Sequence, residues 1–103
     1  MNKLLFAISL AKKSGKLING FDSVKAAVLD GSAHLVIITQ DTSEKTIKRV
    51  KYFCEDIIDV HTTSLTQFEV SQVAGRLTGI LAIADENLAI LCRNAIKSTE
   101  GEM

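Results

Sequence analysis

The chain has 103 residues, which is enough for one domain with a buried core and short for two. It is 47% hydrophobic and 23% charged, as in an ordinary globular protein, and its longest apolar runs are far too short to cross a bilayer. The 12 basic and 12 acidic residues cancel, which argues against nucleic-acid binding by bulk positive charge. However, residues 1–40 contain five lysines and two aspartates, a net charge of +3, and the remainder is at −3.

Targeting and disulfide signals are missing from the sequence. The first eleven residues lack the basic start, long apolar stretch and cleavage site of a signal peptide, so we expect a cytoplasmic protein without a membrane partner. Cys54 and Cys92 lie far apart and are expected to be reduced thiols. Without proline, repeats or low-complexity segments, the chain is predicted to form a single domain over residues 1–98 and a frayed tail at 99–103.

Helix and strand patterns alternate from the start of the chain. Leu4, Ile8 and Ala11 lie on one stripe of a predicted helix. The apolar run at residues 35–39 is continuous and β-branched, which predicts a strand covered on both faces. The predicted elements of this half are a helix at residues 2–14, a strand at 17–18, a helix at 21–29 and a strand at 35–39.

The second half continues the alternation. Ser64 and Gln67 match an S-x-x-Q capping box, which predicts a helix with Phe68 facing inward. The helix before it is predicted to bury Ile57, and Asp85 is predicted to cap the last helix. The predicted elements are a helix starting near residue 43, a strand at 57–61, a helix through 74, a loop at 75–79, a strand at 80–84 and a final helix. Such alternation predicts the α/β class, as a three-layer α/β/α sandwich around a mixed four-stranded sheet.

No catalytic or metal-binding constellation is apparent. Cys54 and His61 could form a nucleophile and base, but Cys54 lies on the apolar stripe of its helix, where a thiol behaves as a small hydrophobe. His34 and His61 lack the spacing of a zinc site. Gly15 and Gly20 do not fit the phosphate-loop or dinucleotide signatures. We therefore expect no enzyme activity, metal or cofactor.

The stretch at residues 16–25 is a candidate binding surface. A short strand stops at Gly20 and turns into a helix, whose first N–H groups lack internal partners and can hold an anion or a base edge. Gly20 has no Cβ to block a ligand, and Lys12, Lys13 and Lys16 come shortly before it. Taken by itself, the pattern is equally compatible with a plain strand–helix turn with solvated lysines.

Four blocks of sequence carry a resemblance to a known family: LAKKSGKLING at residues 10–20, VKAAV at 24–28, HLVIITQDTS at 34–43 and LAIADENLA at 81–89. Together they resemble the L7Ae/L30e ribosomal protein family, especially its small bacterial ribosome-associated members. The likeness covers nearly the whole chain in order. It implies an α/β/α sandwich that binds kink-turn RNA, a sharply bent duplex with tandem sheared G·A pairs.

The resemblance also implies which residues bind RNA. In the family, the glycine turn and the following helix reach the G·A edges, lysines hold phosphates, and a loop before the last strand covers a flipped-out nucleotide. Gly20 matches that glycine, and residues 70–76 would form the covering loop. The implied RNA-binding residues are Lys12, Lys13, Lys16, Asn19, Gly20, Phe21, Asp22, Ser23, Lys25, Val70, Ser71, Gly75 and Arg76.

Several of these positions depart from the family pattern. Asp22 and Ser23 stand where archaeal members have Asn and Glu; Asp22 can accept a hydrogen bond from guanine but cannot donate one. Lys25 only approximates the usual helix lysine, and Ser71 replaces a glycine. Affinity or target choice can therefore differ.

The expected function is that of a non-catalytic, ribosome-associated protein that binds structured RNA, such as a kink-turn in ribosomal RNA, through the turn at residues 16–25. The alternative is a protein-interaction module on the same fold, acting in translation or stress response. That alternative would use exposed apolar side chains such as Phe21 or Tyr52 instead of the lysines.

Overall fold

Five helices alternate with four strands over residues 2–100, the part of the chain that the computed structural model describes; of residues 99 and 100 only the backbone is described. The elements are α1 (Lys3–Lys13), β1 (Leu17–Asn19), α2 (Phe21–Leu29), β2 (Leu35–Ile38), α3 (Glu44–Cys54), β3 (Val60–Thr62), α4 (Gln67–Ala74), β4 (Ile80–Ile83) and α5 (Glu86–Glu100). The predicted frayed tail falls at the end of α5, and residues 101–103 lie outside the described part. None of the described helices is long and apolar enough to cross a membrane.

The four strands form one mixed sheet in the order β1-β4-β2-β3. β2 pairs in parallel with β3, and β4 runs antiparallel to both β1 and β2. Every residue of the two central strands, β2 and β4, is buried. The predicted mixed four-stranded sheet is confirmed, with its continuous apolar strands at the centre.

Helices cover both faces of the sheet. Side chains alternate between the faces along a strand, so Leu35 and Ile37 pack with α1, α4 and α5, while Val36 and Ile38 pack with α2 and α3. The predicted three-layer α/β/α sandwich is therefore confirmed. It holds one apolar core on each side of the sheet.

The start of α4 differs from the prediction. The capping box uses Thr66 and Glu69, two residues after the predicted box at Ser64. The Thr66 hydroxyl accepts from the Glu69 N–H at 3.1 Å, and the Glu69 carboxylate accepts from the Thr66 N–H at 2.9 Å. Phe68 was predicted to face inward and is instead 69% exposed, whereas Val70 is fully buried.

The end of α3 also differs. The helix stops at Cys54, and Asp56 adopts a left-handed φ of +59° that breaks the helical path. Ile57, predicted to be buried, is therefore 56% exposed, and Phe53 packs into the core at 9% exposure. The strand predicted at 57–61 accordingly begins later, at Val60.

Candidate functional site

The turn between β1 and α2 depends on Gly20. Its φ of +92° and ψ of 156° lie in a region that is essentially restricted to glycine. The Gly20 N–H donates to the Ile80 carbonyl at 2.9 Å, which fixes the turn to the sheet. No side chain in the described part caps α2. The first N–H groups of α2 therefore have no side-chain partner in the described part of the chain.

The loop before β4 brings Arg76 onto this turn. A Cβ at Gly20 would lie 3.9 Å from Arg76 Nη2. A shallow depression is lined there by Asn19, Gly20, Phe21, Asp22, Ser23 and Arg76. The Arg76 guanidinium therefore lies near the positive end of the helix dipole, with the Asp22 carboxylate in the first turn of α2 as a negative charge in the same depression. Six of the predicted residues thus lie together.

Lys12 extends the positive charge along α1. α4 ends at Gly75, which is left-handed with a φ of +81°, and a Cβ there would lie 3.3 Å from Lys12 Nζ. The ammonium therefore lies at the C-terminal end of α4, where the helix dipole is negative. Lys12, Gly75, Arg76 and Gly20 form a continuous line, which we call the basic edge.

The other predicted lysines are not among the residues that line the depression. Lys16 precedes β1 and is exposed. Lys13 is exposed at the end of α1. Lys25 is exposed on α2, where it lines a groove between α2 and α3. The predicted positive charge therefore lies at the basic edge, at Lys13 and Lys16 around the end of α1, and at Lys25 in the groove between α2 and α3.

The predicted covering loop is shorter than expected. Val70 is fully buried in α4 and cannot contact a ligand directly, which corrects its assignment to the site. Ser71 also lies in α4, half-buried, and its hydroxyl donates to the Phe68 carbonyl at 2.6 Å. The capping box at Thr66 keeps residues 67–74 helical, so the loop begins only at Gly75.

Two features of the site were not predicted: the exposed Leu77, and the unpaired side-chain oxygen of Asn19, a residue that the resemblance had already placed in the site. Leu77 projects from the loop and is 67% exposed. The sequence signal that could have predicted this exposure is the position of Leu77 in a short segment between Gly75 and Gly79. The Asn19 Oδ1 atom is buried and has no hydrogen-bond partner in the described part of the chain. Since buried polar atoms are nearly always paired, this unpaired acceptor is an exception in a residue that lines the depression.

The cysteines are poor nucleophiles in this fold. Burial raises the pKa of Cys54 to about 11 and that of Cys92 to about 12, so both thiols stay protonated at neutral pH. Within the described residues, no group of three histidine, cysteine or acidic side chains is placed to hold a metal ion.

Comparison with known proteins agrees with this architecture. The model of the "Ribosomal protein L7Ae/L30e/S12e/Gadd45 family" matches residues 2–92. The RNA-binding protein YlxQ of Enterococcus faecium is 29% identical over 91 residues, 84% of each chain. A Bacillus halodurans protein of unknown function has a TM-score of 0.87 at 23% identity, over 94% of this chain and 99% of its own. A Giardia lamblia 15.5kD RNA binding protein has a TM-score of 0.78 at 17% identity, over 96% and 86%.

Proposed function

We propose a function from one premise: the chain belongs to the Ribosomal protein L7Ae/L30e/S12e/Gadd45 family. We infer that it is a non-catalytic RNA-binding protein, associated with ribosomes, that recognises kink-turn-like RNA through the turn at residues 16–25. The relative from Enterococcus faecium is named an RNA-binding protein, which supports the general class. The kink-turn and ribosomal partners follow from the resemblance in sequence.

The contact between Arg76 and the Gly20 turn is the observation that carries this proposal. It places a guanidinium, uncapped N–H donors and an acidic acceptor around one depression. Guanine edges and phosphates offer the complementary groups: Asp22 accepts from guanine N–H groups, and Arg76 donates to phosphate or to guanine acceptors. The absent Cβ at Gly20 lets a base edge approach the main chain.

Shape is expected to contribute more than charge. The basic edge has two cations, Lys12 and Arg76, in a chain of zero net charge. Few phosphates are neutralised, so the affinity should fall only modestly with added salt, with a log–log slope of about −2. A bent RNA with exposed base edges fits such a site better than a regular duplex, whose deep and narrow major groove side chains cannot read.

The RNA side of the proposal is tested by gel-shift titration. We expect the protein to bind a kink-turn RNA at least about tenfold more tightly than the same RNA with its G·A pairs replaced by Watson–Crick pairs, a difference of about 1.4 kcal/mol. Equal affinity for both RNAs would refute kink-turn recognition.

The protein residues that bind RNA are tested by charge-reversal variants, titrated with the same two RNAs. Lys12→Glu and Arg76→Glu should weaken kink-turn binding strongly, whereas Lys13→Glu and Lys16→Glu should have smaller effects because these residues lie outside the basic edge. Lys51→Glu on α3 is the matched control. If all these variants fold, as judged by circular dichroism, and still bind the kink-turn RNA normally, the basic edge is not the RNA-binding surface. If the natural chain binds neither RNA, the protein-interaction alternative is favoured.

A further inference from the structure

A second groove lies between α2 and α3, on the opposite face of the sheet from α1. It has a volume of about 500 Å³, within the roughly 300–1,000 Å³ typical of ligand sites. Three cations and several apolar side chains line it, chiefly Lys25, Lys48, Arg49, Phe21, Leu29 and Tyr52. Nothing in the site described above uses Lys48, Arg49 or Tyr52.

The charge of this groove is positive. Lys48 and Arg49 come from α3, and Lys25 comes from α2. Among the described residues that line the groove, none is acidic. Three neighbouring cations repel one another, and a polyanion lying between the helices would relieve that repulsion.

The aromatic residues divide into one packed ring and one open ring. The Phe21 ring packs edge-on against Phe53, with centroids 5.4 Å apart, and Arg49 Cζ lies 4.4 Å from the Phe21 centroid. Tyr52 is 81% exposed. An exposed aromatic ring among cations is the arrangement by which grooves bind single-stranded nucleic acid, with bases on the ring and phosphates on the cations.

The groove is continuous with the site at Gly20. Phe21 follows Gly20 directly and lines both the depression and the groove. A nucleic-acid strand that leaves the Gly20 turn can therefore enter the groove without crossing another element. This continuity favours RNA over an unrelated protein segment as the occupant.

We propose that the α2–α3 groove binds a single-stranded RNA segment that extends from the RNA held at the Gly20 turn. One base stacks on Tyr52, and phosphates pair with Lys25, Lys48 and Arg49. The inference rests on the proposed function for its primary RNA site. It adds a second contact surface that selects RNAs with an unpaired flank.

The test compares a kink-turn RNA with and without a single-stranded extension of about six nucleotides, a length within the range of known single-strand sites. For the natural chain, we expect the extension to raise affinity on the order of tenfold. Tyr52→Ala and Lys48→Ala should remove that gain and leave binding of the unextended RNA unchanged.

Two matched variants serve as controls. Tyr52→Phe keeps the ring and should keep the gain. Lys51→Ala removes the same charge from the same helix but outside the groove, and should also keep the gain. Variants of exposed residues are expected to fold, which a thermal melt verifies.

The proposal is overturned if the extension adds no affinity, as expected if an acidic protein segment occupies the groove, or if Tyr52→Ala retains the gain. Failure of the proposed function gives a different result. In that case the unextended kink-turn RNA and its G·A-replaced version bind equally, while the extension still adds affinity through Tyr52. If only the groove proposal is wrong, the protein still discriminates between the kink-turn RNA and its G·A-replaced version, and the single-stranded extension has no effect on affinity.

Discussion

Two glycines hold the site together at the scale of single residues. Gly20 supplies a backbone conformation that other residues rarely adopt. Gly79 supplies space, because a Cβ there would overlap the Thr42 hydroxyl and lie 3.1 Å from Thr39 Oγ1. The Gly79 carbonyl accepts from the Thr39 N–H at 2.9 Å and the Thr42 hydroxyl at 3.2 Å. Gly79 thereby ties the Arg76 loop to the end of β2.

Gly20→Ala tests the strained turn. Since φ stays near +92° in a folded variant, we expect the free energy of unfolding to fall by about 1–3 kcal/mol. Urea denaturation followed by circular dichroism measures it. Gln72→Ala, on the exposed surface of α4, is the control and should change stability by less than about 0.5 kcal/mol. Equal effects of the two substitutions would show that the turn tolerates a Cβ.

At the scale of elements, a helix boundary could be predicted where a glycine or a capping residue marks it in the sequence. α2 was predicted to span residues 21–29 and does, because glycines stand just outside both of its ends. Asp85 was predicted to cap the last helix, and it accepts from the Leu88 N–H at 2.9 Å. At each of these helix ends, the sequence offers one glycine or capping residue and no second candidate close by.

The start of α4 had two competing signals. S-x-x-Q at Ser64 and T-x-x-E at Thr66 obey the same capping rule two residues apart. Long-range contacts decide between them, because the Gln67 N–H donates to the Asp41 carboxylate at 3.0 Å and the Leu65 carbonyl accepts from the Gln40 N–H at 2.8 Å. Local sequence does not encode such contacts. The local pattern likewise does not encode the meeting of Arg76 with Gly20. Only the family resemblance placed these two residues in one site.

Thr66→Ala tests the observed box. Losing the cap should lower the free energy of unfolding by about 1 kcal/mol. Because Thr66 and Glu69 cap reciprocally, the double variant with Glu69→Ala should lose less than the sum of the single losses. Urea denaturation of the three variants measures both effects. A strictly additive result would mean that the two residues act independently.

At the scale of the whole molecule, each core contains one buried thiol. Cys54 packs on the α2–α3 side of the sheet, and Cys92 packs on the side of α1, α4 and α5. Burial raises the pKa of Cys54 from 9.0 to about 11 and that of Cys92 from 9.0 to about 12. Folding therefore keeps both groups protonated at pH values where an unfolded chain releases its thiol protons.

This proton retention predicts a pH dependence of stability. The folded chain binds more protons than the unfolded chain above pH 9, so the two thiols should cost no stability below pH 9 and a growing amount as the pH rises towards 11. Urea denaturation between pH 7 and 11 should show a steeper decline for the natural chain than for the double variant Cys54→Ala/Cys92→Ala. Parallel declines would contradict the prediction.

The strand order has a consequence for how the protein is made. β4 comes last of the four strands in the chain yet lies between β1 and β2 in the sheet. During translation, β1 therefore cannot pair with β4 until residues 80–83 have left the ribosome. The hydrogen bond from the Gly20 N–H to the Ile80 carbonyl cannot form before then either. A nascent chain can thus complete the Gly20 turn only after β4 has been synthesised.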